Sequence, residues 1–198
     1  MLSGALQSRD EEAVADYTAA IKRNPQHSRA FFNRAFCRDR LQQYQAAVED
    51  YDAAISLEPC NSTAYHNRGS LHERLGNAEQ ALQDFSKAIE IAPNASLSYN
   101  ARALLRESGK QLDAAVADYS KAIELEGTQT MFYRNRGLCL KALGRVEEAE
   151  ADMNRCGLLC GNHSGHALPK HAHTLEHGQC KRIDALDAVC ICVSTCHK

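Results

Sequence analysis

Three observations predict an all-α solenoid of repeated helical hairpins. Pro25, Pro59 and Pro93 stand 34 residues apart, and so do Tyr17, Tyr51, Phe85 and Tyr119. Ala13, Ala47, Ala81, Ala115 and Ala149 keep the same spacing. Between these markers, apolar residues recur at helical intervals. A fixed period of that length means one supersecondary unit copied along the chain, with no single globular core. A chain so built is expected to bind or scaffold rather than to catalyse.

The elements follow in order. Residues 1–27 form a partial copy, with helix B at Arg9 to Arg23 and a remnant of helix A at Leu2 to Leu6. Starting in the middle of a repeat, the chain reads as cut from a longer array or as an incomplete gene product. Full copies span 28–61, 62–95 and 96–129. In the second full copy, Tyr65, Gly69, Leu71 and Leu75 recur at helical spacing, and Gly76-Asn77 predicts a C-terminal cap. Helix B then runs from Ala78 to Ile91, with Ala81, Leu82, Phe85, Ala88 and Ile89 on one stripe. Pro93 stops it, because proline cannot continue the backbone ladder. Gly69 and Ala81 let the two helices approach closely, and Phe85 fills the gap beside them. Residues 130–161 are a degenerate last copy, in which Glu150 stands where Val48, Leu82 and Val116 stood, and Gly157 replaces Ile55, Ile89 and Ile123. A more polar face is what the end of an array requires.

From residue 162 the periodicity gives way to a Cys/His-rich tail. Cys160-x2-His163-x2-His166, His173-x3-His177-x2-Cys180 and Cys190-x-Cys192-x3-Cys196 offer thiolate and imidazole for zinc. Their spacing is irregular, without the two tight pairs of a zinc module. A poorly ordered tail is the favoured expectation, with a short helix near 181–193 carrying Ile183, Leu186, Val189 and Val193.

Bulk composition narrows the function classes. The formal charge of −2 gives no reason to expect nucleic acid or an anionic membrane as partner. No apolar run reaches the ~18 residues of a spanning helix. The start, Met1-Leu2-Ser3-Gly4-Ala5-Leu6-Gln7, lacks the basic and apolar segments of a signal peptide. The expected location is therefore the cytoplasm, where the nine cysteines are thiols rather than a disulfide framework. There is no phosphate-cradling glycine loop, nucleophile elbow or isolated carboxylate pair, so no enzyme, cofactor or metal site is expected.

The motif Tyr65-x2-Arg68-Gly69-x2-His72, then Ala81-x3-Phe85, then Pro93, resembles the tetratricopeptide repeat in length and in its small and aromatic positions. It departs from that family at Arg68, usually Leu, and at His72, usually Tyr. The resemblance covers roughly residues 1 to 160. It implies a right-handed superhelical solenoid whose concave groove is lined by helix A and holds a peptide or a partner helix. The groove positions it implies are Phe32, Asn33, Phe36, Arg40, His66, Asn67, Ser70, Arg74, Asn100, Leu104, Arg134, Asn135, Leu138 and Lys141. Asn33, Asn67 and Asn135 share one register, and an amide there either holds a peptide backbone or is a packing signature.

Co-chaperones of this family grip a chaperone's C-terminal carboxylate through Lys, Asn and Arg of three successive helices A. The matching positions here hold Phe32, Phe36, Asn67, Leu97 and Ala101, so no such clamp is expected. Arg34, Arg68, Arg102 and Arg136 keep step with Asp50, Asp84, Asp118 and Asp152, and Asp16 shares the Asp register. Charges in step on adjacent helices predict repeated ion pairs rather than an arginine ladder for acidic ligands. The leading expectation is thus a non-catalytic protein-interaction scaffold. The alternative is a metal- or redox-responsive protein whose tail binds zinc on a repeat platform.

Overall fold

The computed structural model describes residues 2–161, and within them it is all-helical. The helices are α1 (Leu2–Arg23), α2 (Ser28–Arg40), α3 (Tyr44–Leu57), α4 (Ser62–Arg74), α5 (Ala78–Ile91), α6 (Ser96–Ser108), α7 (Leu112–Leu125), α8 (Thr130–Ala142) and α9 (Val146–Gly161). From α2 onward they pair as hairpins: α2–α3, α4–α5 and α6–α7, each stacked on the one before, and α8 with α9, which meet through the Arg136–Asp152 pair and through Cys139, Leu140 and Ala149. The result is an all-α solenoid. The tail, the short helix expected near 181–193 and most of the Cys/His groups considered for zinc lie outside the described residues.

Burial follows the stacking. One apolar cluster joins Ala47, Val48, Tyr51 and Ile55 of α3 to Ala64 and Leu71 of α4. Another joins Ala81 and Phe85 of α5 to Ala101 and Leu105 of α6, and a third joins Ala115, Val116 and Tyr119 of α7 to Cys139 and Leu140 of α8. Each cluster therefore spans two hairpins, and no hairpin buries its stripe alone. At the last hairpin the pattern weakens: Glu150 and Gly157 are exposed, and so are Val146 (53%) and Met153 (37%).

The turns inside the hairpins share one device. Gln42, Gly76, Lys110 and Gly144, spaced 34 apart, all sit at positive φ, at 60°, 81°, 60° and 77°. The amide that follows each one reaches back five residues, as from Asn77 to the His72 carbonyl (2.8 Å) and from Gln111 to the Arg106 carbonyl (2.8 Å). This is the Schellman closure of a helix end. Gly76 and Gly144 adopt it freely, whereas Gln42 and Lys110 carry the steric cost of a side chain there. Packing of the returning helix offsets that cost.

The corresponding residue of α1, Ser8, stays helical, and α1 runs unbroken from Leu2 to Arg23. This corrects the expected helix A remnant at Leu2 to Leu6. A one-turn remnant has too little apolar surface to offset a left-handed residue, so continuing the helix is the lower-energy course.

Candidate functional site

The recurring arginines come first, because they decide what is available to a ligand. Arg34, Arg68, Arg102 and Arg136 each donate through Nε and Nη2 to both carboxylate oxygens of Asp50, Asp84, Asp118 and Asp152, at 2.6–2.9 Å. The four carboxylates are 3–5% exposed. The remaining Nη1 reaches the preceding hairpin or helix: Thr18 Oγ1 (3.0 Å), Asp52 Oδ1 (2.6 Å), Ser86 Oγ (3.1 Å) and Ser120 Oγ (3.0 Å). Each guanidinium so ties three helices together. Three of them also stack on an aromatic ring one turn earlier, Phe31, Tyr65 or Tyr99, at 5.4–5.7 Å. The hydrogen bonds to Asp84 and Asp152 push the Arg68 and Arg136 pKa values further above their ordinary range. These arginines are structural and are not offered to a ligand.

A second cation joins two of the pairs. Arg38 Nη1 lies 2.8 Å from Asp50 and Arg106 Nη1 lies 2.7 Å from Asp118. In the hairpin between them the position is His72, whose Nε2 is 3.9 Å from Asp84 and whose buried Nδ1 has no partner among the described residues.

The inner face belongs to the first helices of the hairpins. Helix α6 touches α4 on one side and α8 on the other, while α3, α5 and α7 make no comparable contact with one another. On these helices Phe36 (48%), Leu97 (48%) and Leu138 (42%) are exposed, while Leu105 of α6 and Phe132 and Leu140 of α8 are buried. Leu104 and Met131 beside them are half-buried. Phe36, Ser70, Leu104 and Leu138 occupy one register, 34 residues apart.

The polar positions are less available than the sequence suggested. Asn100 is fully buried, a correction to its expected place in the groove, because its side chain packs between hairpins and accepts from Asn135 Nδ2 at 3.3 Å. Asn67 donates to the Tyr51 hydroxyl at 3.0 Å, which favours the packing reading of the shared Asn register. Arg40 pairs with Asp10 of α1 at 3.1 Å. Arg74 lies over the Tyr44 ring at 5.3 Å and 3.7 Å from Asp39. Phe32 meets Tyr51 edge-on at 5.5 Å. Asn33 and Ser70 are half-buried, Arg134 is engaged in a contact of its own, and Lys141 is exposed. The expected groove positions did not include Leu97, which is exposed, or Met131, which is half-buried. Both are apolar and stand in one register, 34 residues apart.

His66 bridges hairpins. Its Nδ1 lies 3.0 Å from Ser98 Oγ, and its ring is 5.4 Å from that of Phe85. Burial lowers its pKa below the ordinary imidazole value. A lowered native pKa means that the unfolded chain binds the proton first as pH falls. The stabilisation is therefore complete above the unfolded value of about 6.5 and declines below it, until the native value is reached. Thermal melts between pH 7.5 and 5.5 are expected to show this decline, and His66→Asn, which places the Asn100 residue type in the same register, flattens it. An unchanged pH slope in the variant assigns the decline to another group.

Family models described as Tetratricopeptide repeat match residues 7–56, 62–95 and 97–129, and one described as TPR repeat matches residues 40–76. No curated protein matches the sequence. Among solved structures, MamA (41-end) from Desulfovibrio magneticus RS-1 is similar with a TM-score of 0.72 and 17% identity, over 84% of this chain and 96% of that one. YrrB, described as a TPR protein with an unusual peptide-binding site, gives 0.68 and 17%, over 82% and 84%. The first TPR of Spaghetti (RPAP3), bound to the HSP90 peptide SRMEEVD, gives 0.58 and 22%, over 60% and 94%. At these identities the likeness is one of fold.

Proposed function

This chain belongs to the tetratricopeptide repeat family, and from that premise we propose that it is a non-catalytic protein-interaction scaffold. Its inner face holds a peptide segment or partner helix through apolar contacts. The observation that carries this reading is the exposure of Phe36, Leu97 and Leu138 on first helices of the hairpins, where Leu105, Phe132 and Leu140 are buried. Exposed apolar surface in a fold of this kind marks an interaction site. The peptide-binding description of YrrB and the bound peptide in the RPAP3 structure support a protein partner.

The chemistry of the face also limits the partner. The positions that would clamp an acidic C-terminus hold Phe32, Phe36, Asn67, Leu97 and Ala101, so the partner is read by its apolar side chains and not by a terminal carboxylate. No helix among the described residues is long and apolar enough to cross a membrane. The scaffold is proposed to work in the cytoplasm.

A Leu97→Asp/Leu138→Asp variant of the full chain tests the reading. Both residues are exposed, so its melting temperature stays close to wild type. Partners captured by the wild-type chain are expected to be recovered about tenfold less or worse, since each exposed leucine contributes roughly 1–2 kcal/mol to a buried interface. Equal recovery by the variant places binding on another surface.

A further inference from the structure

We propose that the cleft between α7, α8 and α9 is a binding site for a guanidinium group that the last hairpin itself does not supply. The inference is independent of the inner groove. One register of the first helices, four residues after each paired arginine, holds Arg38, His72, Arg106 and Leu140. Arg38 and Arg106 add a second guanidinium to the buried carboxylate of their hairpin, at 2.8 Å to Asp50 Oδ2 and 2.7 Å to Asp118 Oδ2. Arg38 Nη1 also donates to the Ala46 carbonyl at 3.1 Å. Leu140 can do neither.

Leu140 packs instead into the apolar cluster of α7 and α8, where it is 2% exposed. The slot beside it is a cleft of about 280 Å³, lined by Val116, Ser120, Leu140, Glu148, Ala151 and Asp152. At ~30 Å³ per water molecule, that is room for one long side chain with some solvent. Asp152, which borders the cleft, is 5% exposed. Arg136 grips both of its oxygens at 2.7 Å, and among the described residues no other side chain donates to them. The cleft does not arise from the end of the array. The same slot in the α6–α7 hairpin, which has helices packed on both sides, is filled by Arg106. A change of residue type at one position opens it.

The charge balance of the cleft fits such a guest. Besides Arg136, Arg145 borders it, with both prongs on the Glu148 carboxylate at 2.7 Å. Two carboxylates thus face two guanidiniums. The filled slots set one carboxylate between two guanidiniums: Asp50 between Arg34 and Arg38, and Asp118 between Arg102 and Arg106. One added guanidinium brings the last hairpin to the same surplus of a single positive charge. A planar, weakly hydrated fork suits a buried carboxylate better than a compact ammonium does. Val116, Leu140 and Ala151 offer an apolar wall to the aliphatic stem behind it.

The probe is Nα-acetyl-L-arginine methylamide, titrated into the full chain and followed by NMR of the Val116 and Leu140 methyl groups. Saturable shifts are expected, with a Kd on the order of 1–10 mM, as one charge-assisted contact and a short stem allow. The neutral isostere Nα-acetyl-L-citrulline methylamide leaves these methyl groups unmoved. Leu140→Arg fills the slot from within, as Arg38 and Arg106 do, and weakens binding at least about tenfold, read at Val116. Ala151→Arg changes an exposed residue, so the fold is kept whether or not Leu140→Arg folds. It sets a like charge beside the cleft and weakens binding at least about threefold. Free L-arginine separates the sources of the group. Weaker binding than that of the blocked residue assigns the guest to a polypeptide, and equal or tighter binding assigns it to a free guanidine compound; either result keeps the site. The proposal is overturned by absence of saturation, by equal binding of the citrulline derivative, or by binding indifferent to Ala151→Arg or to a folded Leu140→Arg.

Discussion

Arg68→Ala lowers the stability of the array by about 3–5 kcal/mol, the cost of leaving a buried carboxylate without its partner. Asp84 is 5% exposed and accepts both prongs of the Arg68 guanidinium, at 2.9 and 2.6 Å. The His72 ring, whose Nε2 is 3.9 Å away, is too distant to replace them. The same guanidinium holds Asp52 of the preceding hairpin at 2.6 Å and covers the Tyr65 ring at 5.4 Å, so truncation loosens three helices at once. For a chain of this size, 1 kcal/mol moves the midpoint by roughly 2–4 °C. A melt followed by circular dichroism should therefore fall by roughly 10 °C. It should also broaden, because nearest-neighbour coupling carries the cooperativity of repeat arrays. Arg68→Lys keeps the charge but not the two-pronged geometry, and it recovers less than half of the loss. A midpoint within a degree of wild type would mean that the arginines are not structural and that the ladder is open to ligands after all.

The Arg–Asp pairs were legible because both partners keep one residue type through every copy. Their third partner was not, since Thr18, Asp52, Ser86 and Ser120 share only a short side chain bearing oxygen. The Asn register carried a readable correlation as well. Asn67 follows Tyr51 by 16 residues and Asn135 follows Tyr119 likewise, but Ala101 stands where Phe85 offers no hydroxyl. The correlation points to packing between hairpins, and Asn67 does bond the Tyr51 hydroxyl. It does not carry over to the last case: Tyr119 donates to Glu107 at 3.0 Å, and Asn135 turns to Asn100. Which partner wins depends on side-chain reach across a stacked interface, a quantity that periodicity does not contain. Asn100 was misplaced for the same reason. Its register holds Phe32, His66 and Arg134 in other copies, and only size and neighbours decide whether such a side chain faces the groove or sinks between hairpins. Left-handed Gln42 and Lys110 were also illegible as single residues, because the turn there is imposed by the hairpin and not by local preference.

Phe85→Ala is expected to cost about 3–5 kcal/mol, the usual range for a buried aromatic. The ring is fully buried, and three of its neighbours are small: Gly69 on the facing helix, Ala81 on its own, and Ala101 on the next hairpin, beside the larger Leu105 and His66. Small residues have no side chains that can swing into the void. Ala101 belongs to α6, so the cavity lies on the seam between hairpins, and urea unfolding should become less cooperative as well as earlier. The same geometry supplies a diagnostic rescue. Gly69→Leu alone overpacks the site, since even a Cβ there meets the Phe85 ring at 3.0 Å, and it costs about 1–3 kcal/mol. Combined with Phe85→Ala, the new side chain enters the space that the ring has left. The double variant is then expected to be more stable than the sum of the two losses by at least about 1 kcal/mol, within the range measured for residues in contact. Strict additivity would show that Gly69 and Phe85 do not share that space. The small residue after each arginine would then be a matter of backbone conformation rather than of close approach between the helices of a hairpin.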